Sequence, residues 1–549
     1  MSLNPEAIGE IPQQTQRIAK AAFPRGNQYM KMRDELGTFY EDEDFKELFS
    51  QRGQPAESPW RVALVMVMQY AEGLSDRQAA EAVRARIDWK YALGLELDDA
   101  GFDHSVLSEF RDRLLQGSRE ELLLDKMLDR FKERGYLKAR GKQRTDSTQV
   151  LAAVRELNRL ELVGETLRAA LNILAQEAPE WLRAQVSAEW FERYGRRVEQ
   201  YRLPKSESER KAYATQIGED GFQILSAVEN ENAPEQLSEL KEIETLREAW
   251  KQQFVREKGK VRLRTGKELA PSGQRLNSPY DPEAHYGNKR SVEWVGYKVH
   301  FTETCDEDQV HLITQVETTS AVVPDVEAGE PILKELKEKG LLPEEHIVDG
   351  GYVDIEYVMK SETKYGVSVI GPVRPDPHWQ ARATDGFDAS RFEIDWDQQQ
   401  VTCPGGHKTQ HWSSLQKSRG EGWFQVRFSP MQCGPCPLRE QCTKSPHGRA
   451  LLLRPRAEYE TLVATRQQQQ TINWKKQYDR RSGIEGTLSQ GIRAFGLRQA
   501  RYIGQRKTHL QNLLTAAAIN INRIVAWLNE IPQEKTRVSH FAKLAVVNG

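Results

Sequence analysis

The stretch EEHIVDGGYVD, residues 344–354, sets a single acid between a short apolar run and two glycines. The apolar or neutral residues before Asp349 predict a buried strand, and the glycines after it allow a sharp turn and the close approach of a ligand. Because a buried charge is costly unless a cation compensates it, the pattern suggests an acid presented at a strand tip to a metal or a cationic partner. Taken alone, the stretch is more simply an ordinary Asp-Gly turn.

The composition is that of a polar globular protein. A length of 549 residues suggests about three or four domains. The net charge of -2, from 78 basic and 80 acidic residues, argues against a uniformly basic nucleic-acid coat but allows local basic surfaces. No apolar run approaches the roughly 20 residues that span a bilayer, and residues 1–27 lack the apolar core of a signal peptide. We therefore expect a cytoplasmic protein without a membrane partner.

The N-terminal quarter of the chain is predicted to be helical. Residues 1–40 are weakly patterned and predict a loosely ordered arm, whereas residues 41–135 contain short capped helices. One helix starts near residue 59 and ends at a glycine, and Ser75 is the expected N-cap of the next. In DHSVLSEFRDRLL the apolar residues should face inward. Across this helix and the one that follows Ser75, five arginines are expected to face outward: Arg77, Arg84, Arg86, Arg111 and Arg113. This pattern fits a helix-turn-helix-like DNA-binding domain or a plain helical bundle with a solvated basic face.

The remaining chain predicts an α/β fold with two insertions. Residues 141–150 read as a first strand, and residues 151–280 as a polar helical insertion that could be a spacer, a dimerisation element or a DNA-facing arm. Residues 281–375 alternate strands and helices, starting with two antiparallel strands in SVEWVGYKVHFTET and QVHLITQVETT, which predicts a mixed sheet with flanking helices. A small Cys-rich β insertion (376–455), a helical return to the core (456–530) and a tail (531–549) complete the chain.

Three acids are distinguished by their context. Asp146 lies mid-strand in RTDST, Asp349 ends its strand, and Glu485 lies in a segment, 475–510, with nine Lys or Arg residues and only one other acid, Asp479. A carboxylate in such a basic stripe is best explained as a metal ligand beside an anionic substrate, and a Mg²⁺ site needs oxygen ligands from several elements. For each acid alone, however, a structural ion pair is the simpler interpretation, and their spacing is not diagnostic.

Four of the five cysteines lie between residues 403 and 442. Clustered thiols in a reducing compartment favour a metal over disulfides, and the alternative is reduced structural thiols. Cys433 and Cys436 have the spacing of half a zinc site, and a structural Zn²⁺ would fold a β segment with no obvious apolar core of its own. The predicted ligands are Cys403, Cys433, Cys436 and Cys442, with His407 as an alternative fourth ligand.

Three blocks of the sequence resemble those of a known family. RTDSTQV, VDGGY and the segment 478–524 are similar to the signature blocks of bacterial insertion-sequence transposases of the DDE superfamily, which have an RNase H-like core. WVGYKVHFTET also resembles the second strand of that core, and GFDHSVLSEFRDRL resembles the family's N-terminal domain. The third block is the most specific, because Tyr478, Arg481 and Glu485 match the family's Y-x-x-R-x-x-x-E spacing. The lysine usual in the family further along is replaced by Ile492, followed by Arg493.

The resemblance implies a transposase that binds element ends, cuts them by metal-dependent phosphoryl transfer and joins them to target DNA. Asp146, Asp349 and Glu485 would be the catalytic triad for Mg²⁺ or Mn²⁺. DNA contacts would come from Trp474, Tyr478, Arg481, Arg493, Arg498, Arg501, Arg506 and Lys507, although core packing is the favoured role of Trp474.

The implied partners are double-stranded DNA, as inverted repeats and target, and further copies of the chain on DNA, in a nucleoid-associated state. A glycine-rich phosphate cradle is absent from the sequence, so no nucleotide cofactor is expected. The alternatives are a nuclease of the same core without strand transfer, and a DNA-binding protein that has lost catalysis.

Overall fold

The structure is a computed structural model and describes residues 1–289, 291–409, 411–417 and 420–531. All but the first residue of the expected tail, 531–549, lies outside this part of the chain. The α-helices are α1 (Gln13–Ala22), α2 (Gln28–Leu36), α3 (Pro59–Glu72), α4 (Asp76–Ala85), α5 (Ile87–Leu93), α6 (Ser105–Gln116), α7 (Leu122–Glu133), α8 (Arg159–Glu177), α9 (Pro179–Gln185), α10 (Ala188–Tyr194), α11 (Glu207–Val228), α12 (Lys241–Gln253), α13 (Asp325–Glu338), α14 (Ile355–Lys360), α15 (Trp379–Arg382), α16 (Pro430–Cys433), α17 (Arg439–Cys442), α18 (Arg456–Gln468), α19 (Ile472–Asp479), α20 (Ser482–Phe495) and α21 (Gln505–Leu528).

The strands are β1 (Lys142–Leu151), β2 (Phe254–Glu257), β3 (Lys260–Leu263), β4 (His285–Lys289), β5 (Val292–Thr304), β6 (Ile313–Ser320), β7 (Glu345–Val348), β8 (Ser368–Ile370), β9 (Glu393–Asp395), β10 (Gln400–Thr402), β11 (His411–Lys417), β12 (Gly420–Arg427) and β13 (Ala450–Leu453). Short 3-10 segments cover Asp42–Leu48, Gln200–Arg202, Glu235–Glu239, Ser272–Gln274 and Ala389–Arg391, and a π turn covers Ser361–Tyr365. No helix among the residues described here has the length and apolar character needed to span a bilayer.

A six-stranded mixed sheet is the centre of the fold. β1 pairs antiparallel with β5 and parallel with β7, and β8 continues the sheet parallel to β7. β4 and β6 pair antiparallel with β5. The predicted antiparallel pair is therefore confirmed as β5 and β6, and the α/β class with a mixed sheet is confirmed as well. Alternation of apolar and polar residues specified these strands because one face of each packs against helices.

The expectation of a loosely ordered arm at residues 1–40 is wrong. α1 and α2 form there, and the side chain of Asn27 caps α2 by accepting hydrogen bonds from two backbone amides. Tyr29, Met32 and Leu36 are buried in the same apolar core as the sheet and α21. Their spacing of three and four residues places them on one face of α2, and this apolar face packs the segment against the core.

The helices at residues 41–135 form largely as expected, with one arginine misplaced. α3 ends at Gly73 in the left-handed conformation, and Ser75 caps α4. Arg77 is exposed as predicted, but Arg111 is only 7% exposed. Its guanidinium donates to Asp76 Oδ1 at 3.0 Å, because this face of α6 packs inside the protein rather than against solvent.

The segment 151–280 has its own apolar core, separate from that of the sheet. Its helices α8 to α12 pack around Leu167, Ile217 and Trp250, and the β2–β3 hairpin closes one side with Phe254. Long helices were predicted here and are present. The separate core means that this segment buries its own apolar residues.

The Cys-rich segment folds into two small sheets, β9–β10 and β11–β12–β13. The prediction that it has no apolar core is wrong, because Phe392, Val401, Val426 and Leu453 are buried together. Those residues are spread over short strands, so no single run in the sequence revealed them.

Candidate active site

Two of the predicted acids are neighbours at the centre of the sheet. Thr145 on β1 pairs with Val348 on β7, so the residues that follow, Asp146 and Asp349, lie side by side on parallel chains. Neighbouring strands are about 4.8 Å apart. Asp349 is the residue directly after β7, which ends one position before the predicted strand end, and its Oδ1 accepts a hydrogen bond from the Gly351 amide at 2.6 Å. A Cβ on Gly351 would lie 2.8 Å from that same oxygen, so a larger residue there would push the Asp349 carboxylate out of this position.

The third acid reaches the site through an arginine. Arg481 donates from Nη1 to Asp146 Oδ2 at 2.8 Å, and from Nη2 to Glu485 on the next turn of α20. One guanidinium therefore joins acids that are 339 residues apart in the sequence. Glu485 itself is largely exposed, with a side-chain exposure of 58%.

The electrostatics of the Asp146 and Asp349 carboxyl groups favour a cation close to both. Burial raises the pKa of Asp146, and the nearby carboxylate of Asp349 raises it further, while Lys289 and Arg481 oppose the rise. Two close carboxylates in a shielded position are stabilised as anions by positive charge placed between them. A further cation between the two carboxylates would therefore stabilise both of them as anions.

The donor set suits a hard divalent cation. Three carboxylates on β1, on the loop after β7 and on α20 offer the oxygen ligands that Mg²⁺ prefers. Across the described ranges, no three His, Cys, Asp or Glu side chains already form a metal centre. A shared ion would require Glu485 to leave Arg481, and an exposed ion pair costs at most about 1 kcal/mol to open.

Sequence reasoning missed a fourth acid beside the site. Asp325, the first residue of α13, lies so that its Oδ2 is 3.4 Å from the Cβ position of Gly351. Lys298 donates to Asp325 Oδ1 at 2.6 Å, and Lys289 and the Ser147 hydroxyl each reach Oδ2 at 3.2 Å. Although burial opposes it, the two ammonium groups lower the pKa of Asp325 to about 2. The available signal was Lys298, a lysine within a buried strand, which requires an acidic partner.

A buried ion network attaches α20 to the sheet. Glu303 on β5 is fully buried and accepts from Arg144 Nε at 2.7 Å and from Arg523 Nη1 at 2.7 Å. Arg144 also donates from Nη1 to the Arg480 carbonyl at 2.6 Å, just before α20 begins. The guanidinium lies directly under Gly483, where a Cβ would be 2.1 Å from it. This close packing fixes the helix that carries Glu485 against the strand that carries Asp146.

Apart from Arg481, which bridges Asp146 and Glu485, the predicted DNA-contacting cations divide into two groups. Arg493 and Arg498 are exposed to solvent. Ile492, which replaces the family's lysine, packs half-buried against the core. The other three contact the N-terminal helices: Arg501 lies 4.5 Å from the Tyr70 ring centroid, Arg506 pairs with Glu120 at 2.9 Å, and Lys507 pairs with Asp112 at 2.9 Å.

The predicted stacking residues contact each other. The Trp474 and Tyr478 rings are parallel to within 14°, with centroids 4.9 Å apart. Both are half-buried against Cys305, Ile347 and Ile370 at the edge of the sheet. Their rings thus contribute to packing, and Tyr478 also lies 5.9 Å from the Arg481 guanidinium.

The clustered cysteines line one small cavity of about 20 Å³. The cysteines come from two segments, 403–407 and 433–442. These segments meet at Gly405, whose Cβ position is 3.5 Å from Cys436 Sγ and 3.7 Å from Cys403 Sγ. Burial raises the pKa of Cys442 to about 11. That volume is about enough for a single water-sized occupant. The lining includes Cys403, His407, Cys433, Cys436 and Cys442, which border the cavity without a formed coordination shell in the part of the chain that the structure describes.

Two protein-family models match the chain. A transposase DDE domain matches residues 402–525, and a transposase domain (DUF772) matches residues 17–113. Together the two matches support an insertion-sequence DDE transposase. The DDE match covers Glu485 and the four clustered cysteines but not β1 or β7, so the closeness of Asp146 and Asp349 to Glu485 follows from the fold alone. No curated protein and no solved structure matches the chain.

Proposed function

We propose that this transposase binds the ends of its element, cleaves them by metal-dependent phosphoryl transfer and joins them to target DNA. The observation that carries the proposal is the Arg481 bridge, which brings Glu485 to the strand pair that holds Asp146 and Asp349. The strand order β6–β5–β1–β7–β8, with the last three parallel, supports an RNase H-like core.

Asp146, Asp349 and Glu485 would hold Mg²⁺ or Mn²⁺. When bound, a pair of such ions stabilises charge on the attacking and leaving oxygens of an in-line phosphoryl displacement. The chain's own groups prepare the site: the Gly351 amide orients Asp349, and the Arg481 guanidinium, which donates to Asp146, favours the anionic form of that carboxyl. A water would be the first nucleophile and the freed 3′-OH the second, with the same acids serving both steps.

The DNA partner would lie along the exposed cations near α20 and the N-terminal helices. Arg493 and Arg498 face solvent on the C-terminal side, and Arg77 and Arg84 do so on α4. Guanidinium groups bind phosphate oxygens with bidentate geometry, which fixes the register of a duplex. Further copies of the chain would assemble on the two element ends, in the cytoplasm at the nucleoid.

The test uses the purified protein and the inverted repeats that flank its own gene, with Mg²⁺ or Ca²⁺, and reads cleavage on a gel. Asp146→Asn, Asp349→Asn and Glu485→Gln should each abolish cutting and leave binding nearly intact. Asp308→Asn is the matched control, because Asp308 is 69% exposed and pairs only with Lys138 among the contacts of the described chain.

The same assay separates the alternatives. Pre-cut ends that are joined to a plasmid establish strand transfer, whereas cutting without joining indicates a nuclease. Binding without any cutting indicates a protein that has lost catalysis. Substantial cutting by any one of the three acid variants removes that acid from the site.

We also propose a structural Zn²⁺ in the cysteine cavity. Thiolates from two segments suit zinc, and the metal would add its binding energy to the small apolar core of the segment. Protein purified without chelator should hold about one zinc per chain. Cys436→Ser should release it, Cys305→Ser should not, and zinc kept by Cys403→Ser would identify His407 as the fourth ligand. Metal-free protein from such a preparation rules the site out.

A further inference from the structure

Two lysines share one carboxylate beside the catalytic acids. Lys298 and Lys289 both reach Asp325, at 2.6 Å and 3.2 Å. Two ammonium groups against one carboxylate leave an excess positive charge in this cluster. The cluster adjoins the site, because Lys289 Nζ lies 3.4 Å from the hydroxyl of Ser147, the residue after Asp146.

The two lysines differ in burial and in role. The Lys298 side chain is only 9% exposed and also donates to the Val323 carbonyl, so it is a fixed partner for Asp325. The Lys289 side chain is 45% exposed at the end of β4, and its contacts with Asp325 and Ser147 are longer than that of Lys298. The excess positive charge of the cluster is therefore carried by Lys289, whose side chain faces solvent.

We infer that Lys289 binds a DNA phosphate next to the catalytic acids, an inference that rests on the proposed function. A phosphate that approaches three carboxylates is repelled unless cations accompany it. Lys289 can leave Asp325 for the phosphate because Lys298 still neutralises that acid.

The lysine stem suits such a contact. An ammonium group on four methylenes is a mobile point charge, which can follow a phosphate through cleavage and joining. Asp325, held by Lys298 and by the Ser147 hydroxyl, acts as a positioning residue that keeps Lys289 at the site before DNA arrives.

The experiment compares Lys289→Gln and Lys289→Arg with Lys334→Gln. Lys334 is the matched control, because it is 65% exposed and lies on α13, the helix that begins with Asp325. Single-turnover cleavage of element ends is measured in Mg²⁺, and binding to the same ends is measured against salt in Ca²⁺. Lys289→Gln should slow cleavage by about tenfold or more and lower the salt slope of binding by about one unit, with Lys289→Arg near wild type.

A second readout separates a phosphate contact from a structural role. Single phosphates near the cleavage site are replaced in turn by uncharged methylphosphonates. The wild type should lose affinity at one phosphate at which Lys289→Gln loses nothing further, and a purely structural role would give no such position. Equal cleavage, slope and phosphate profile in wild type and Lys289→Gln overturn the inference while leaving the proposed function in place. A wild type that makes no cut overturns the proposed function, and the role of Lys289 with it.

Discussion

Replacing Gly483 by alanine should loosen the helix that carries Glu485. The added Cβ would lie 2.1 Å from Arg144 Nη1, so the guanidinium or the helix must move by well over an ångström to reach an ordinary contact. The guanidinium is not free to do so, because it donates to the Arg480 carbonyl at 2.6 Å and to buried Glu303 at 2.7 Å.

The magnitude follows from these contacts. Breaking a buried ion pair costs about 3–5 kcal/mol, but Arg523 remains as a second partner of Glu303 at 2.7 Å, so a loss of roughly 2–3 kcal/mol is expected. Alanine regains at most about 1 kcal/mol over glycine here, because that value holds for a helix interior and Gly483 is the second residue of α20. The net destabilisation of about 1–2 kcal/mol is a factor of roughly 5–30 in the local opening equilibrium.

Hydrogen exchange of the amides in α20 measures this opening directly. Gly486→Ala is the control, since its Cβ would meet nothing within 4 Å on the same helix. Exchange should be faster by the stated factor in Gly483→Ala and slower, by up to about fivefold, in Gly486→Ala. Equal protection of α20 in the two variants would refute the view that Arg144 fixes the helix.

Three further predictions concern other parts of the chain. Neutralising exposed Arg493 should weaken binding to unrelated DNA sequences alike and lower the salt slope by about one unit; altered sequence preference at an unchanged slope would contradict a phosphate contact. In Cys436→Ser, limited proteolysis should cut within residues 376–455 while the sheet stays intact. His509 bonds Glu121 at 2.6 Å, and this bond raises the pKa of His509 even though burial opposes the charge. Its stabilising effect should be full below the unfolded value of 6.5 and fade as pH rises through the raised value, so the melting-temperature gap to His509→Gln should shrink on going from pH 6 to pH 9.

Local pattern was enough to predict the strands that hold the site. The apolar run before Asp349 and the alternation in β5 and β6 each encode one element and the face that it buries. What sequence could not supply was pairing between distant elements. Asp325 looked like an ordinary first residue of a helix, and only the fold brings it to Lys298 and Gly351.

The burial of individual charged side chains was the other feature that could not be predicted from the sequence. Arg111 was placed outward because an arginine in a helix usually is, yet α6 packs where Asp76 can neutralise it. The same holds for Glu303, a glutamate in a strand with nothing in its local context to distinguish it. Its two arginine partners lie 159 residues before it and 220 residues after it. Such pairs are visible only when the tertiary partners are known.

The separate core of the segment 151–280 has a consequence for how the chain folds. β1 and β5 pair across it, with Leu151 opposite Gly296, 145 residues later. Closing a flexible loop of that length costs about 2 kcal/mol more than closing one of ten residues. A segment that condenses around its own Trp250 before the strands meet shortens the effective loop and lowers that entropic barrier. The folded insertion then acts as a compact connection between β1 and β5. The two strands can pair at a rate closer to that of strands joined by a short loop.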